Sequence, residues 1–306
     1  MRIIVTGGAG FVGSHMVELL VEKNHYPIII DNLHSGKKSN IQKFLKTKKA
    51  EFHKIDIRDI KKLLELKKAD AVIHLAAIAS VVESIKNPTF VNDVNVNGTL
   101  NTLEFCRIKK IKKLVFASSA AIFGDFEGKS NENTPKIPNT VYAGSKLTGE
   151  YYCEIYSKLY DIDITCLRPF NIYGPRQNDA YAGVISKFLD RLSDNKRPII
   201  YGDGKQTRDF IHVSDIVNAF YLSLFYKKKK FSKFNLATEK SISINNLANL
   251  MLKISNKNDL RPIHKNAIPG VVKMNSTNTK KIRKELGFLP RIKLEKGLDE
   301  LINSQK

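Results

Sequence analysis

Tyr142 and Lys146 stand four residues apart in Tyr142-Ala143-Gly144-Ser145-Lys146, a spacing that puts both on one face of a helix. An ammonium beside a phenol stabilises the phenolate and draws its pKa down from about 10 toward neutrality. Such a tyrosine can take a proton and give it back. The same spacing is common on surface helices, so the pair gains meaning only from its surroundings. Upstream, a strand-like run, Lys113–Ala117, ends in Ser118 and Ser119. The Ser119 hydroxyl would share the reacting proton with Tyr142, which makes Ser119, Tyr142 and Lys146 the candidate catalytic set.

A second motif opens the chain as Thr6-Gly7-Gly8-Ala9-Gly10-Phe11-Val12-Gly13. Glycines at this spacing allow a tight turn and close approach of a pyrophosphate to the backbone, and the helix that follows offers free amides at its positive end. Glycine clusters are frequent in turns. Here a strand-like run, Ile3–Val5, precedes the glycines and helical periodicity follows them, as the fingerprint requires. Asp31 ends the next strand-like run. A carboxylate there accepts hydrogen bonds from ribose hydroxyls and repels a 2′-phosphate, which selects NAD over NADP. Asp56-Ile57 and Leu75-Ala76-Ala77 end two further strand-like runs, and the small alanines would let a cofactor lie against the backbone.

These residues need a frame, and the first half of the chain supplies one. Strand-like runs at Ile3–Val5, Pro27–Ile30, Glu51–Ile55, Ala71–Leu75, Lys113–Ala117 and Ile164–Leu167 alternate with helical stretches at about 12–23, 92–109 and 142–159. That alternation predicts an α/β, doubly wound parallel sheet, Rossmann-like, covered by helices on both faces. From about Pro169 the pattern breaks into shorter pieces, which predicts a smaller mixed C-terminal domain for the substrate. We expect residues 1–168, with a return segment near 209–230, to bind the cofactor and residues 169–306 to bind the substrate.

With 306 residues the chain can bury a large core. No apolar run approaches a bilayer span, and the N-terminus begins in a strand-like run rather than a signal peptide, so neither membrane insertion nor secretion is expected. Cys106, Cys153 and Cys166 fit no metal spacing and no disulfide framework, which points to reduced thiols in the cytoplasm and to no metal site. The net charge of +21 raises a nucleic-acid reading. Lysine greatly outnumbers arginine, however, and the lysines are spread along the chain without interleaved aromatics, so nucleic acid is not expected as a partner.

Read as blocks in order, the chain resembles an extended short-chain dehydrogenase/reductase, and within that group the UDP-glucose 4-epimerase (UDP-galactose 4-epimerase) family. The matching stretches are the N-terminal glycines, Asp31-Asn32, Asp56 to Asp59, His74 to Ala77, Asn95 to Thr99, Ser118 to Ala121, Tyr142 to Lys146, Leu167 to Arg176 and Gly202 to Asp209. Nearly the whole chain is covered. The resemblance implies NAD, held by Gly7, Gly10, Phe11, Val12, Asp31, Asn32, Asp56, Ile57, Leu75, Ala76, Ala77, Asn95, Ser118, Tyr142 and Lys146. It implies a nucleotide-diphosphate sugar, with Ser119 on the sugar O4 and Ser84 and Asn171 on the sugar or its diphosphate. Tyr201 would lie near the base, and the Arg208 fork would pair with the diphosphate. It also implies a homodimer formed through the helices near 92–109 and 142–159. Tyr142 would remove the O4 proton as hydride passes to NAD, leaving a 4-keto sugar that is reduced again on its other face.

Related dehydratases and decarboxylases carry a carboxylate just after the hydroxyl residue, where this chain has Ala120 and Ala121. Elimination then lacks its acid. The runner-up within the enzymes is a 4-keto-sugar reductase or another nucleotide-sugar epimerase. Two departures bear on the substrate. Ile268 and Val271 stand where the family usually has an arginine and an acid, and since that arginine holds the diphosphate, Arg208 and neighbouring lysines such as Lys273 are left to do so; Phe123 replaces a tyrosine near the sugar. Asn275 is small where the family varies side-chain size, which fits an N-acetyl sugar.

Overall fold

The structure is a computed structural model that describes residues 1–126, 128–177, 183–267 and 276–304. Its strands, in chain order, are β1 (Arg2–Thr6), β2 (Tyr26–Ile30), β3 (Glu51–His53), β4 (Ala71–His74), β5 (Lys113–Ala117), β6 (Asp163–Pro169), β7 (Asn171–Tyr173), β8 (Ile199–Tyr201), β9 (Thr207–His212), β10 (Phe231–Leu236), β11 (Ser241–Ser243) and β12 (Ile263–Lys265). Seven of them form one parallel sheet in the order β10-β6-β5-β4-β1-β2-β3.

The inner strands are near-continuous apolar runs because both of their faces are covered. Successive side chains alternate between the two faces. Ile3 and Val5 of β1 join Met16, Val17, Leu20, Ile216 and Phe220 in one core layer. Ile4 points the other way, into a layer with Leu103, Phe105, Phe116, Cys153 and Tyr156. A third core, around Phe188, Phe210, Leu247, Met251 and Leu298, lies under two small sheets, β11-β9-β7 and β12-β8.

The six strands expected from the sequence are present, Lys113–Ala117 with the expected bounds and the others with ends within two residues of them. The seventh, β10, has no counterpart in that reading. It starts at the end of the Lys227–Lys230 run, which reads as solvated loop, and pairs with the outer edge of β6. The helix Val213–Leu224, inside the expected return segment, packs on the helix Phe11–Glu22. The helix expected over 92–109 is interrupted. Pro88–Asn92 and Gly98–Ile108 are α-helical, and Asp93–Asn97 between them is a π-turn.

Strand order reverses between β1 and β4. From β1 the chain winds toward β3, and from β4 it winds toward β6, so the loops leaving β1 and β4 diverge and open a crevice at their carboxyl ends. Among the described residues no helix is long and apolar enough to cross a membrane. None of their His, Cys, Asp and Glu side chains group by three or more in a way that could hold a metal ion.

Candidate active site

The crevice is a cleft of about 510 Å³. Its floor is the glycine turn after β1. Gly7 has φ +70°, and a Cβ on it would sit 2.8 Å from the Ala76 amide nitrogen, so only a glycine lets the two loops start this near each other before they diverge. A Cβ on Gly13 would run into the Gly7 carbonyl oxygen. The helix Phe11–Glu22 starts at Gly10 with no side chain capping it, which leaves first-turn amides free for an anion.

At the far end of the cleft the Asp31 carboxylate accepts the amides of Ala9 (3.0 Å) and Leu33 (2.8 Å). Burial raises its pKa and these two bonds lower it. A carboxylate offers about four acceptor sites, so two hydroxyls can still be accommodated. Asp56 is held down to about 2, first by its hydrogen bonds from Arg58, and also receives the Asn32 side chain at 2.9 Å. Of the residues expected to hold NAD, Gly7, Gly10, Phe11, Val12, Asp31, Asn32, Asp56, Ile57, Leu75, Ala76, Ala77 and Tyr142 line the cleft.

The remaining three, Asn95, Ser118 and Lys146, lie buried beneath its wall. The Ser118 hydroxyl is buried without a hydrogen-bond partner and is closed off from the cleft. The glycine turn and the uncapped helix both fit a dinucleotide.

The catalytic candidates come from three elements. Ser119 follows β5 and caps a short 3₁₀ turn, Ala120–Phe123, accepting the Ala121 amide at 3.1 Å. Its own O–H remains a donor. Tyr142 lies in the first turn of the helix Val141–Tyr160, whose start is fixed by Thr140 accepting the Ala143 amide at 3.1 Å. Ser119 and Tyr142 both line the cleft. Lys146, one turn on, donates to the Ala117 carbonyl at 2.9 Å and lies 5.2 Å above the centre of the Phe116 ring. Burial lowers its pKa to about 8.

A line of hydrogen bonds that the sequence did not reveal runs under the cleft. Thr6 Oγ1 accepts the Leu75 and Ala76 amides, so its own proton goes to His74 Nδ1 at 2.7 Å. His74 Nε2 then donates to Thr99 Oγ1 at 3.0 Å, and Thr99 donates to the Asn95 carbonyl. The Asn95 side chain reaches Ser145 at 3.0 Å, and Ser145 donates to the Tyr142 carbonyl at 2.8 Å. Burial pushes His74 down to about 3, so it is a neutral link. Asn95 belongs to the π-turn, a bulge that often marks functional sites. The spacing Asn95-x-x-x-Thr99 was the available signal, but helical periodicity alone hides a π-turn.

The substrate candidates divide. Asn171 lines the cleft and donates to the Asp209 carbonyl at 2.8 Å. Ser84 is fully buried and donates to the Val81 carbonyl. Tyr201, exposed on β8, and Arg208, whose guanidinium donates to the Thr207 carbonyl, are not among the cleft's lining residues. Gln177 does line it and was missed, because its neighbours Pro175 and Arg176 read as a loop. Phe123 packs in the core with the Arg168 guanidinium 5.4 Å from its ring centre and is not among the cleft's lining residues. Ile268, Val271, Lys273 and Asn275 lie outside the described residues.

The carboxylates among the described lining residues are Asp31 and Asp56, at the ends of β2 and β3. Ser119 follows β5, three strands from β2, or about 14 Å at the usual strand spacing.

The NAD dependent epimerase/dehydratase family model matches residues 3–237. A Methanocaldococcus jannaschii protein provisionally named a UDP-glucose 4-epimerase is 40% identical, covering 99% of this chain and 98% of its own. The solved UDP-glucose 4-epimerase of Thermotoga maritima with UDP-glucose is 33% identical, with a TM-score of 0.94 and coverage of 99% of this chain and 98% of that one. The UDP-N-acetylglucosamine 4-epimerase of Methanobrevibacter ruminantium, in complex with UDP-N-acetylmuramic acid, is 34% identical, with a TM-score of 0.93 and coverage of 100% and 99%. Relatives with other chemistry also match, among them dTDP-D-glucose 4,6-dehydratases and a UDP-N-acetyl-alpha-D-glucosaminuronate decarboxylase, at 32–33% identity.

Proposed function

The chain belongs to the NAD-dependent epimerase/dehydratase family, and on that premise we propose that it is a nucleotide-sugar 4-epimerase, interconverting UDP-glucose and UDP-galactose or their N-acetyl forms. The observation that carries this reading is the chemistry around Ser119. Alanines follow it, and the carboxylates of the described cleft lining, Asp31 and Asp56, stand at the ends of strands three and four places away in the sheet. A dehydratase must protonate the group that leaves, and a decarboxylase must steer a carboxylate. The residues beside Ser119 can do little more than move one proton.

NAD, when bound, supplies the acceptor and later the donor of the hydride at sugar C4. The turn at Gly7 and Gly10 and the Phe11 helix would hold its pyrophosphate, Asp31 its adenosine ribose, and Lys146 its nicotinamide ribose. Tyr142 takes the O4 proton, and Ser119, with its O–H free to donate and its oxygen fixed by the Ala121 amide, keeps O4 in line. Lys146, held by the Ala117 carbonyl, stabilises the phenolate. Tyr142 then returns the proton once the 4-keto sugar has turned. Asn171 would contact the sugar or its diphosphate. Arg208, Ser84 and Tyr201 remain candidates for the nucleotide end.

The exposed apolar positions Tyr151, Ile155 and Leu159 repeat every four residues along the helix Val141–Tyr160. A stripe of this kind calls for a partner, and we read it as the face of a homodimer. The three buried thiols suit a reducing compartment, in keeping with a cytoplasmic enzyme.

The deciding experiment gives NAD-loaded protein UDP-glucose, UDP-galactose and their N-acetyl forms. Interconversion of at least one pair with no net change in NADH is expected. Absence of turnover on all of them would sink the reading, a net consumption of NADH would favour a 4-keto-sugar reductase, and a product lighter by one water would favour a dehydratase. Tyr142→Phe should lose a factor of about 10²–10⁴ in kcat while retaining NAD.

A further inference from the structure

One strongly buried charge has no part in that mechanism. Arg168 of β6 has no exposed surface. Its Nε and Nη2 donate to the two carboxylate oxygens of Glu150, each at 2.7 Å. Its Nη1 donates to the Glu132 carbonyl at 3.2 Å, and its guanidinium carbon lies 5.4 Å from the centre of the Phe123 ring.

Each contact leads to a different part of the candidate site. Glu150 lies on the helix Val141–Tyr160, one turn past Lys146 and two past Tyr142. Phe123 closes the 3₁₀ turn that Ser119 caps. Glu132 belongs to the segment joining that turn to the helix, and its carboxylate accepts the Asn235 amide of β10 at 3.0 Å. One planar group therefore braces the Ser119 turn, the Tyr142 helix and the connection between them. The β6–β10 edge is the anchor.

Stability is a poor reason for such a group. A buried ion pair replaced by apolar side chains of similar volume is often neutral or stabilising, because removing two charges from water is costly. What a bidentate arginine fork adds is direction, since it fixes distance and angle together. We propose that Arg168, through Glu150 and Phe123, is the positioning residue that sets Ser119 in register with Tyr142. Proton transfer to O4 needs both oxygens on one substrate atom, and a displacement of about 1 Å can cost 10²-fold in rate.

The inference rests on the Ser119–Tyr142–Lys146 reading above, and its test separates the two. NAD-loaded Arg168→Lys, Glu150→Gln and the apolar pair Arg168→Met with Glu150→Leu are compared with wild type. In whichever variants fold, kcat should fall tenfold or more, while KM stays within about twofold and NAD content is unchanged. The apolar pair should keep the wild-type melting temperature and still lose kcat, a split that a purely structural role would not produce. Crystal structures of the variants should show the Ser119 turn displaced relative to Tyr142. A folded, NAD-loaded variant with kcat within twofold of wild type overturns the proposal. So does a variant structure in which Ser119 and Tyr142 superimpose on wild type. If wild-type protein turns over no sugar, the epimerase reading fails, and the structural comparison still decides the positioning claim.

Discussion

The ammonium of Lys146 donates to the carbonyl of Ala117 across 2.9 Å, so the helix that carries Tyr142 is tied to the strand that delivers Ser119. The lysine is charged and out of water, and burial lowers its pKa to about 8.

That lowering has a sign. The unfolded lysine titrates near 10.4, so between about pH 8 and 10.4 the unfolded chain holds more protons than the folded one, and this group adds stability as pH rises. Below pH 8 both states are charged and the burial cost is fully present. In NAD-free protein, Lys146→Met should therefore melt above wild type at pH 7, and the gap should narrow by pH 9.5. Parallel melting curves across that range would count against a buried, charged Lys146.

The glycine turn makes a sharper claim. A methyl group at Gly13 meets the Gly7 carbonyl oxygen, and a backbone atom cannot move aside as a side chain can. Overpacking of this kind costs about 1–3 kcal/mol, so Gly13→Ala should weaken NAD binding by roughly 10- to 100-fold, measured by calorimetric titration. Wild-type affinity would mean that the cofactor does not sit on this turn.

Gly144 is the contrasting case. It lies in the helix Val141–Tyr160, and a Cβ added to it meets nothing within 4 Å. Gly144→Ala should stabilise by about 1 kcal/mol through helix propensity, raising Tm by roughly 2 °C. A lower Tm would mean that something packs on that face in the assembled protein.

The apolar stripe gives the fourth test. Tyr151, Ile155 and Leu159 are 57%, 46% and 66% exposed. Ile155→Glu would place a charge in the middle of the proposed dimer face, where desolvating it is costly. Wild type should sediment as two chains and the variant as one. A wild-type mass of one chain would remove the homodimer from the reading.

Much of the site was legible because its chemistry is local. The glycines fix a turn by their own φ range, Tyr142 and Lys146 share a face by helical arithmetic, and apolar runs alternating with helical periods imply a parallel sheet. Such features depend on residues within a turn or two of one another. The sequence by itself therefore determined the sheet's first six strands and the dinucleotide turn, and it singled out Ser119, Tyr142 and Lys146 as the catalytic set now proposed.

Only the tertiary structure decided what depends on distant partners. β10 follows a lysine run and is a strand because the edge of β6 offers it hydrogen bonds. The π-turn at Asp93–Asn97 looks like any helix in sequence, and its value lies in turning Asn95 onto Ser145, fifty residues away. Phe123 reads in sequence only as a phenylalanine where a tyrosine is usual, and its place against the Arg168 guanidinium appears only in the fold. In the sequence Arg168 is one member of a matching block, whereas in the fold its guanidinium joins Glu132, Glu150 and Phe123. A charge can be buried only where its partners already wait, and no spacing within the chain records that.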